Sequence, residues 1–439
     1  MYIFNQKTTI PKILNLLIAA YPVLFILGNL TININTILII LLGCFYFKKK
    51  IFEQTKNVFL FCLVFFFIFL IFSTIVNNIY LLSDKNILSN HVIKSILFLR
   101  YLFLFLIIST MAKNNFLNLK YLFYSAAFIS VFLGIDIIIQ LIFGRDIFGY
   151  PHPFPDKDAI KLSGFFGTEI IAGGYLQRFS LFAIFFFAVF NRNIPKKKLF
   201  IILFSILLFF FICIILTGNR MPLLLFILSF FIYFILEQKV RKLILITFIF
   251  ISIIFASSLS YEPIRDSISP FYKHSTEIIF NSYGLLSGKN KEDVKSHHLR
   301  NFNAGFHTWK KNKIMGGGLR SMRINCKNEE MGGVYNLLCN AHPHNYFLEI
   351  LIDVGIIGVI FYLLIFLIPI IRFIKIYIYS SSVLKYTSRS LLIPPFLLLF
   401  NEFFLIRSSG SFFSTGNATI IFLILAIIAN TNNIFYKNK

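Results

Sequence analysis

Long, uninterrupted apolar runs dominate the pattern of this chain. Each run is close to the roughly 17–25 residues that a helix needs to cross the hydrocarbon core of a bilayer. The runs cover residues 13–30, 32–47, 58–76, 92–111, 119–143, 175–190, 199–217, 221–236, 243–259, 346–371, 390–406 and 417–430. This pattern predicts an all-α, polytopic membrane protein with about twelve transmembrane helices.

One long polar segment, residues 260–345, interrupts the series of apolar runs. It divides the chain into nine predicted transmembrane helices over residues 1–259, a large extracytoplasmic loop, and three helices over residues 346–439. Within the loop, Leu299, Phe302, Phe306 and Trp309 recur at spacings of three and four residues. This spacing predicts an amphipathic helix that lies on the bilayer or caps the transmembrane bundle, so the loop is expected to be partly helical.

The distribution of charge sets the expected orientation. Basic residues flank the short loops on one side of the predicted bundle, and the positive-inside rule assigns that side to the cytoplasm. The basic residues on that side are Lys48, Lys49, Lys50, Lys56, Arg192, Lys196, Lys197, Lys198, Lys239, Arg241, Lys242, Arg372, Lys375, Lys385, Arg389, Lys437 and Lys439. Both termini are then cytoplasmic, and the large polar loop is periplasmic.

Composition agrees with this topology. The chain has 439 residues, of which 57% are hydrophobic and 14% are charged, whereas an average soluble domain is less apolar and more charged. The formal net charge is +24, but most of that excess is explained by topology. It therefore requires no nucleic acid as a partner. The first apolar run lacks a small-residue cleavage site, so we expect the chain to remain whole in the membrane.

Four polar segments on the predicted outer side carry candidate chemistry. They are residues 162–167 (LSGFFG), residues 217–220 (TGNR), Arg300 with Trp309 and residues 316–319 (GGGL), and His344-Asn345 through Glu349 to Gly355 and Gly358. In their order, spacing and side of the membrane, these segments resemble the motifs of the O-antigen ligase/polymerase family of bacterial membrane glycosyltransferases. They are most similar to the ligases. The matches span roughly residues 160–360, and the helix count fits over the whole chain.

The resemblance implies a reaction and its partners. Family members transfer a glycan from an undecaprenyl-diphosphate carrier to a sugar hydroxyl on the outer face of the inner membrane. The resemblance therefore implies a lipid-linked glycan donor, a lipid A–core or other glycan acceptor, and contact with membrane lipids. It also implies inversion at the anomeric carbon and no metal or other cofactor. The outer loops contain no convincing metal-binding spacing of His, Cys, Asp or Glu.

Several residues fit this reaction chemically. Arginine binds phosphate oxygens with a planar, permanently charged fork, so Arg220 and Arg300 are candidate ligands of the diphosphate, with Arg320 as a weaker third. His344 is the candidate catalytic base, because a neutral imidazole can accept a proton from the acceptor hydroxyl. His342 is expected to share that role or to orient the acceptor. Asn345 is expected to cap the following helix.

Each candidate also has a structural interpretation. Arg220, between two apolar helices, can anchor them at the interface. Arg300, on the amphipathic helix, can face anionic lipid, and Arg320 and Arg323 fit a structural role better. The two histidines can simply end a helix at the interface, while Gly355 and Gly358 fit close helix packing better than substrate contact.

Ionisable residues within the predicted helices form a second set of candidates. Arg178 and Arg407 are both expected near the outer leaflet, where either can extend a basic cavity for the diphosphate. Arg100 and Glu402 are explained equally well by pairing with neighbouring helices.

Two of the five cysteines, Cys326 and Cys339, lie in the large outer loop. We expect them to form a disulfide in an oxidising periplasm.

Three further functions remain open at this stage. A polymerase would use the same fold but take a second carrier-linked repeat unit as its acceptor, and an oligosaccharyltransferase would modify protein. A transporter or glycolipid flippase also suits twelve helices. However, no internal repeat relates two halves of the sequence, and the one elaborated region is a surface loop.

Overall fold

The computed structural model describes residues 9–53, 58–81, 85–153, 161–190, 195–238, 241–258, 297–326, 339–379, 386–408 and 410–436. Over these residues the protein is all-α. The helices are α1 (Thr9–Leu27), α2 (Asn29–Phe47), α3 (Val58–Leu81), α4 (Lys85–Phe98), α5 (Arg100–Lys113), α6 (Lys120–Phe143), α7 (Ala172–Phe190), α8 (Lys196–Leu216), α9 (Arg220–Leu236), α10 (Arg241–Ser258), α11 (His297–Lys311), α12 (Met322–Asn325), α13 (Tyr346–Tyr379), α14 (Tyr386–Phe403), α15 (Thr415–Ala429) and α16 (Thr431–Tyr436).

Each predicted apolar run coincides, over most of its described residues, with one helix or with two consecutive helices. Among the described residues, seven helical segments are long and apolar enough to cross a membrane: Thr9–Leu27, Asn29–Ile51, Val58–Asn77, Asn90–Lys113, Lys120–Phe143, Lys197–Leu216 and Tyr346–Ile378. Three shorter apolar helices, Arg220–Leu236, Ser390–Phe403 and Thr415–Ala429, accompany them. The prediction of an all-α, multi-pass membrane protein is therefore confirmed. The fourth run differs in detail, because it is divided between α4 and α5.

The centre of the bundle is α15. Residues 418–428 of this helix are all buried, and α15 packs against α2, α5, α13 and α14. A helix that is apolar on every side is stable only inside a bundle or in lipid. The large apolar side chains of α2 that remain exposed, such as Leu30, Leu41 and Phe45, suit contact with acyl chains.

The long helix α13 is sharply kinked near its start. Gly355 has a φ of 69°, so the helix is divided into residues 346–354 and 356–379. The sequence suggested that Gly355 permits close helix packing, whereas the structure shows that it permits a break in the helix. A loop enters this break, and the candidate site is built around it.

Candidate functional site

The loop that enters the kink, residues 312–319, contains the three consecutive glycines, and we call it the glycine loop. Its backbone replaces the hydrogen bonds that α13 loses at the break. The N–H groups of Gly317 and Gly318 donate to the carbonyls of Ile352 and Asp353, at 2.8 and 2.9 Å. In return, Ile356 N–H donates to the carbonyl of Lys313 at 3.1 Å. These exchanges satisfy backbone groups that are costly to leave unpaired in a buried site.

Close backbone approach explains glycines both in this loop and at the kink of α13. A Cβ atom at Gly355 would collide with the carbonyl oxygen of Ile314, and one at Gly316 would collide with the backbone of Asp353. Both glycines also have positive φ, at 69° and 72°, which other residues rarely adopt. The motif glycines therefore serve to lock the loop into α13.

Polar side chains near the end of α3 hold the other side of the glycine loop. Ser73 Oγ donates to the Met315 carbonyl at 2.7 Å, and Asn77 Nδ2 donates to the Gly316 carbonyl at 2.7 Å. Leu319 N–H donates to Thr74 Oγ1 at 3.0 Å. His91 Nδ1 lies 3.0 Å from the Leu319 carbonyl. The loop is thus fixed by α3, α4 and α13 together.

Asp353 orients the residues that follow the glycine loop. Its carboxylate accepts hydrogen bonds from the backbone N–H of Arg320 at 2.7 Å and of Ser321 at 3.0 Å. It also accepts one from Ser321 Oγ at 2.9 Å. Arg320 has a φ of 61°, an uncommon conformation for a residue with a side chain. Asp353 therefore stabilises a strained turn that presents the side chain of Arg320.

The two histidines lie against each other just before α13. The centroids of the His342 and His344 rings are 4.3 Å apart, and His344 has a φ of 54°. Asn301 of α11 donates from Nδ2 to the His342 carbonyl at 3.2 Å. Arg323 Nε donates to the Ala341 carbonyl at 3.4 Å. The histidine segment is therefore held by α11 and by the turn that carries the arginines.

A disulfide joins the same two segments. The structure contains the predicted bond between Cys326, directly after α12, and Cys339, shortly before the histidines. The two cysteines pack with Ala304, Met322 and Ile352 in a small core of their own. The covalent link thus fixes the arginine-bearing turn beside the histidine-bearing segment.

Arg320, Arg323, His342 and His344 form what we call the basic cluster. Burial, followed by the charges of the nearby His344, Arg323 and Arg320, lowers the pKa of His342 from 6.5 to about 4. Burial also lowers the pKa of Arg320, as does Arg323, while Glu349 and Asp353 oppose that shift. The lowered pKa of His342 reflects burial first, and then the like charges that lie close to it. Such a site favours a bound anion.

The loop that follows α14 supports the start of α13. Asn345 caps the helix as predicted: its Oδ1 accepts a hydrogen bond from Leu348 N–H at 2.9 Å. Its Nδ2 donates to the carbonyls of Leu405 and Arg407, at 2.6 and 3.1 Å. The buried carboxylate of Glu349 accepts hydrogen bonds from Ser411 Oγ and Phe412 N–H. Asn345, the residue next to His344, is thus held in position by the loop that follows α14.

Beneath this segment lies a buried group of three charges. Glu402 accepts hydrogen bonds from Arg178 Nε at 2.9 Å and from Arg407 at 2.7 Å. Arg178 also donates to Asn417 Oδ1 at 2.7 Å, and Arg407 lies over the ring of Tyr346. Arg178, a sequence candidate for substrate binding, is therefore engaged in a network that joins α7, α14 and α15.

The remaining arginine candidates lie on separate elements. Arg300 lies on α11, immediately before the Asn301 that contacts His342. Arg220 begins α9, after a turn whose Thr217 and Asn219 side chains lie directly against Gly173 at the start of α7. The structure therefore brings Arg320, His342 and His344 together, with Arg300 adjoining them, and places Arg220 beside α7.

Comparison with protein families identifies the part of the chain that contains this site. Residues 204–363 match the model of a family described as O-antigen ligase. This segment is an O-antigen ligase family domain. The resemblance found in the sequence is thereby confirmed, and the function is of the O-antigen ligase or polymerase type. A search of curated proteins finds no match for the chain.

The O-antigen ligase family domain includes the glycine loop, the basic cluster and the kink of α13. The sequence did not predict the roles of two residues in this domain, Arg323 and Asp353. Arg323 was interpreted as structural, although its spacing of three residues from Arg320 suits one face of a turn. Asp353 was noted only as part of the motif. Its position at the start of an apolar helix was a usable signal, because carboxylates in such helices need a specific partner.

Proposed function

We propose that this protein is an O-antigen ligase of the bacterial inner membrane. It transfers a glycan en bloc from undecaprenyl diphosphate to a sugar hydroxyl of lipid A–core, on the periplasmic face. The observation that carries this proposal is the basic cluster, in which Arg320, Arg323, His342 and His344 converge within the matched domain. A lipid-linked diphosphate is the anion that the family reaction requires at such a site.

In the proposed reaction, Arg320 and Arg323 bind the diphosphate oxygens, with Arg300 close by on α11. Charge develops on the leaving diphosphate as the bond from the anomeric carbon to its oxygen breaks. Fixed cations in a partly dry site stabilise that charge without having to reorganise. The arginines supply this stabilisation without requiring a metal.

His344 is the proposed base. Its imidazole accepts the proton of the acceptor hydroxyl while the hydroxyl oxygen bonds to the anomeric carbon, which inverts the configuration there. His342 lies beside it and helps to orient the acceptor. Arg220, beside α7, and Arg178, on α7, are proposed to extend the donor-binding surface. Arg178 would act through its contact with Glu402.

A lipopolysaccharide gel from a deletion strain tests the proposal. We expect core that carries no O-antigen, with polymer stranded on the lipid carrier. Complementation with His344→Ala or Arg320→Gln should fail to restore the ladder. The matched control Lys310→Gln, an exposed cation on α11, should restore it. Comparable amounts of each variant in the membrane fraction would show that folding is not the cause.

The other outcomes point to different functions. Core that carries a single repeat unit would identify a polymerase. An unchanged ladder in the deletion strain would direct attention to another glycan or to transport. A full ladder with His344→Ala would show that His344 is not the base.

A further inference from the structure

A cavity of about 160 Å³ lies on the face of the bundle opposite the glycine loop. It is formed where α3 begins and where α5 and α15 end, and α13 contributes Arg372 to its wall. A single water molecule occupies roughly 30 Å³ of liquid, so this cavity has room for a larger polar group.

The lining of the cavity includes cationic and hydrogen-bonding groups. Lys113, in the last turn of α5, and Arg372 both line it. Asn430 and Ser109 form part of the wall, held by a hydrogen bond of 3.0 Å from Asn430 Nδ2 to Ser109 Oγ. None of the described residues that line the cavity is acidic. The chemistry of these groups therefore suits an anion.

Lys113 alone would not indicate a ligand, because a cation at the end of a helix is stabilised by the helix dipole. Arg372 has no such explanation, since α13 continues to Tyr379. Within the described part of the chain, no acidic side chain pairs with it. At 1.5 Å per residue, Arg372 lies roughly 26 Å along α13 from the kink at Gly355. This distance approaches the thickness of the hydrocarbon core, about 30 Å, so Arg372 lies near the level of the opposite headgroups.

The wall of the cavity also includes the apolar side chains of Phe59, Leu60 and Phe105. A soluble anion would gain nothing from such a wall, whereas a lipid can place its acyl chain along it. We propose that this cavity binds the phosphate of an anionic phospholipid in the leaflet opposite the glycine loop. Lys113 and Arg372 contact the phosphate, and Phe59 and Leu60 contact the first part of the acyl chain. Basic pockets between transmembrane helices favour such headgroups.

Native mass spectrometry of the full-length, delipidated protein in detergent tests this proposal. The probes are phosphatidylglycerol and phosphatidylethanolamine with identical acyl chains. We expect the wild type to retain phosphatidylglycerol in preference. Arg372→Gln should weaken that binding about fivefold, and adding Lys113→Gln should weaken it about fivefold again. Arg372→Lys, which keeps the charge, should retain most of the binding. The control Lys49→Gln, an exposed cation on the same face, should leave it unchanged.

Two results with the lipid probes would overturn the proposal, and a third comes from inorganic phosphate. One is equal retention of both lipids by the wild type, a result that does not depend on any variant folding. The other is unchanged phosphatidylglycerol binding by the double variant. Inorganic phosphate is the third probe, and we expect millimolar phosphate not to displace the lipid. If phosphate binds at this cavity and displaces the lipid completely, the ligand is a soluble anion and the lipid assignment is wrong.

Discussion

His342 is partly buried beside like charges, and this gives the site a pH-dependent stability. Burial, followed by His344, Arg323 and Arg320, lowers its pKa from 6.5 to about 4. The unfolded chain therefore binds a proton near pH 6.5, while the folded protein binds it only near pH 4. We expect the melting temperature to fall as the pH is lowered from 6.5 to 4, and to fall less in His342→Gln. Thermal denaturation in detergent across this range measures the difference. If the melting temperature depends on pH identically in the two proteins, His342 is not the source of the pH dependence.

Gly355 is the residue on which the kink depends most directly. Gly355→Ala introduces a Cβ atom that collides with Ile314 and imposes a positive φ on a side chain. Backbone strain and overpacking together predict a loss of roughly 2–6 kcal/mol, with displacement of the glycine loop. Gly174→Ala is the matched control, because nothing lies within 4 Å of its added Cβ. Melting temperatures of the two variants provide the test. Equal melting temperatures for Gly355→Ala and Gly174→Ala would argue against a glycine loop that depends on the kink at Gly355.

At the level of single residues, the sequence predicted some roles and not others. His344 and Asn345 were found because they lie in a motif, and Arg320 because it is an arginine directly after one. Asn345 caps α13 as expected. The unusual φ values of Arg320 and His344 leave no trace in a sequence, because any residue type can be held there by its surroundings. The engagement of Arg178 with Glu402 was equally hidden, since 224 positions separate the two residues.

Among the elements, α11 shows how a correct pattern can leave the packing undetermined. Its existence followed from the spacing of its aromatic residues, but the buried side is formed by Asn301, Ala304 and Thr308, while Phe306 is exposed. In a soluble protein the aromatic stripe would face the core. In a membrane protein lipid is an equally good neighbour for it, and small residues permit close packing between helices. The sequence therefore predicted the helix and not its buried face.

The disulfide is the covalent link between the two segments of the basic cluster. Replacing Cys326 and Cys339 by serine removes a constraint on the chain between them, which corresponds to about 3 kcal/mol for a loop of this size. We expect the double variant to have a lower melting temperature than the wild type. We expect reductant to lower the melting temperature of the wild type toward that of the double variant. Reductant should have no further effect on that variant. Mass spectrometry that finds both thiols free in unreduced wild-type protein would refute the bond.

Over the whole molecule, the buried charges connect helices that are distant in sequence. Glu402→Gln leaves Arg178 and Arg407 facing each other without an anion, which is expected to cost about 3–5 kcal/mol. The double variant Arg178→Gln with Glu402→Gln restores the original net charge of the network, and we expect it to be less destabilised than the single variant. Thermal denaturation of both variants measures this difference. A double variant that is the less stable of the two would show that Glu402 does not chiefly compensate the arginines.

The proposed reaction depends on the orientation of the whole bundle, because a lipid A–core acceptor is available only at the periplasmic face. The positive-inside rule places the lysines around Lys49 in the cytoplasm and α11 in the periplasm. In a protein that lacks the free cysteines Cys44, Cys62 and Cys213 but keeps the disulfide, Lys310→Cys should react with a membrane-impermeant maleimide in intact spheroplasts. Lys49→Cys should react only after permeabilisation. The reverse pattern would place the basic cluster in the cytoplasm and exclude the ligase reaction, however well its residues are arranged.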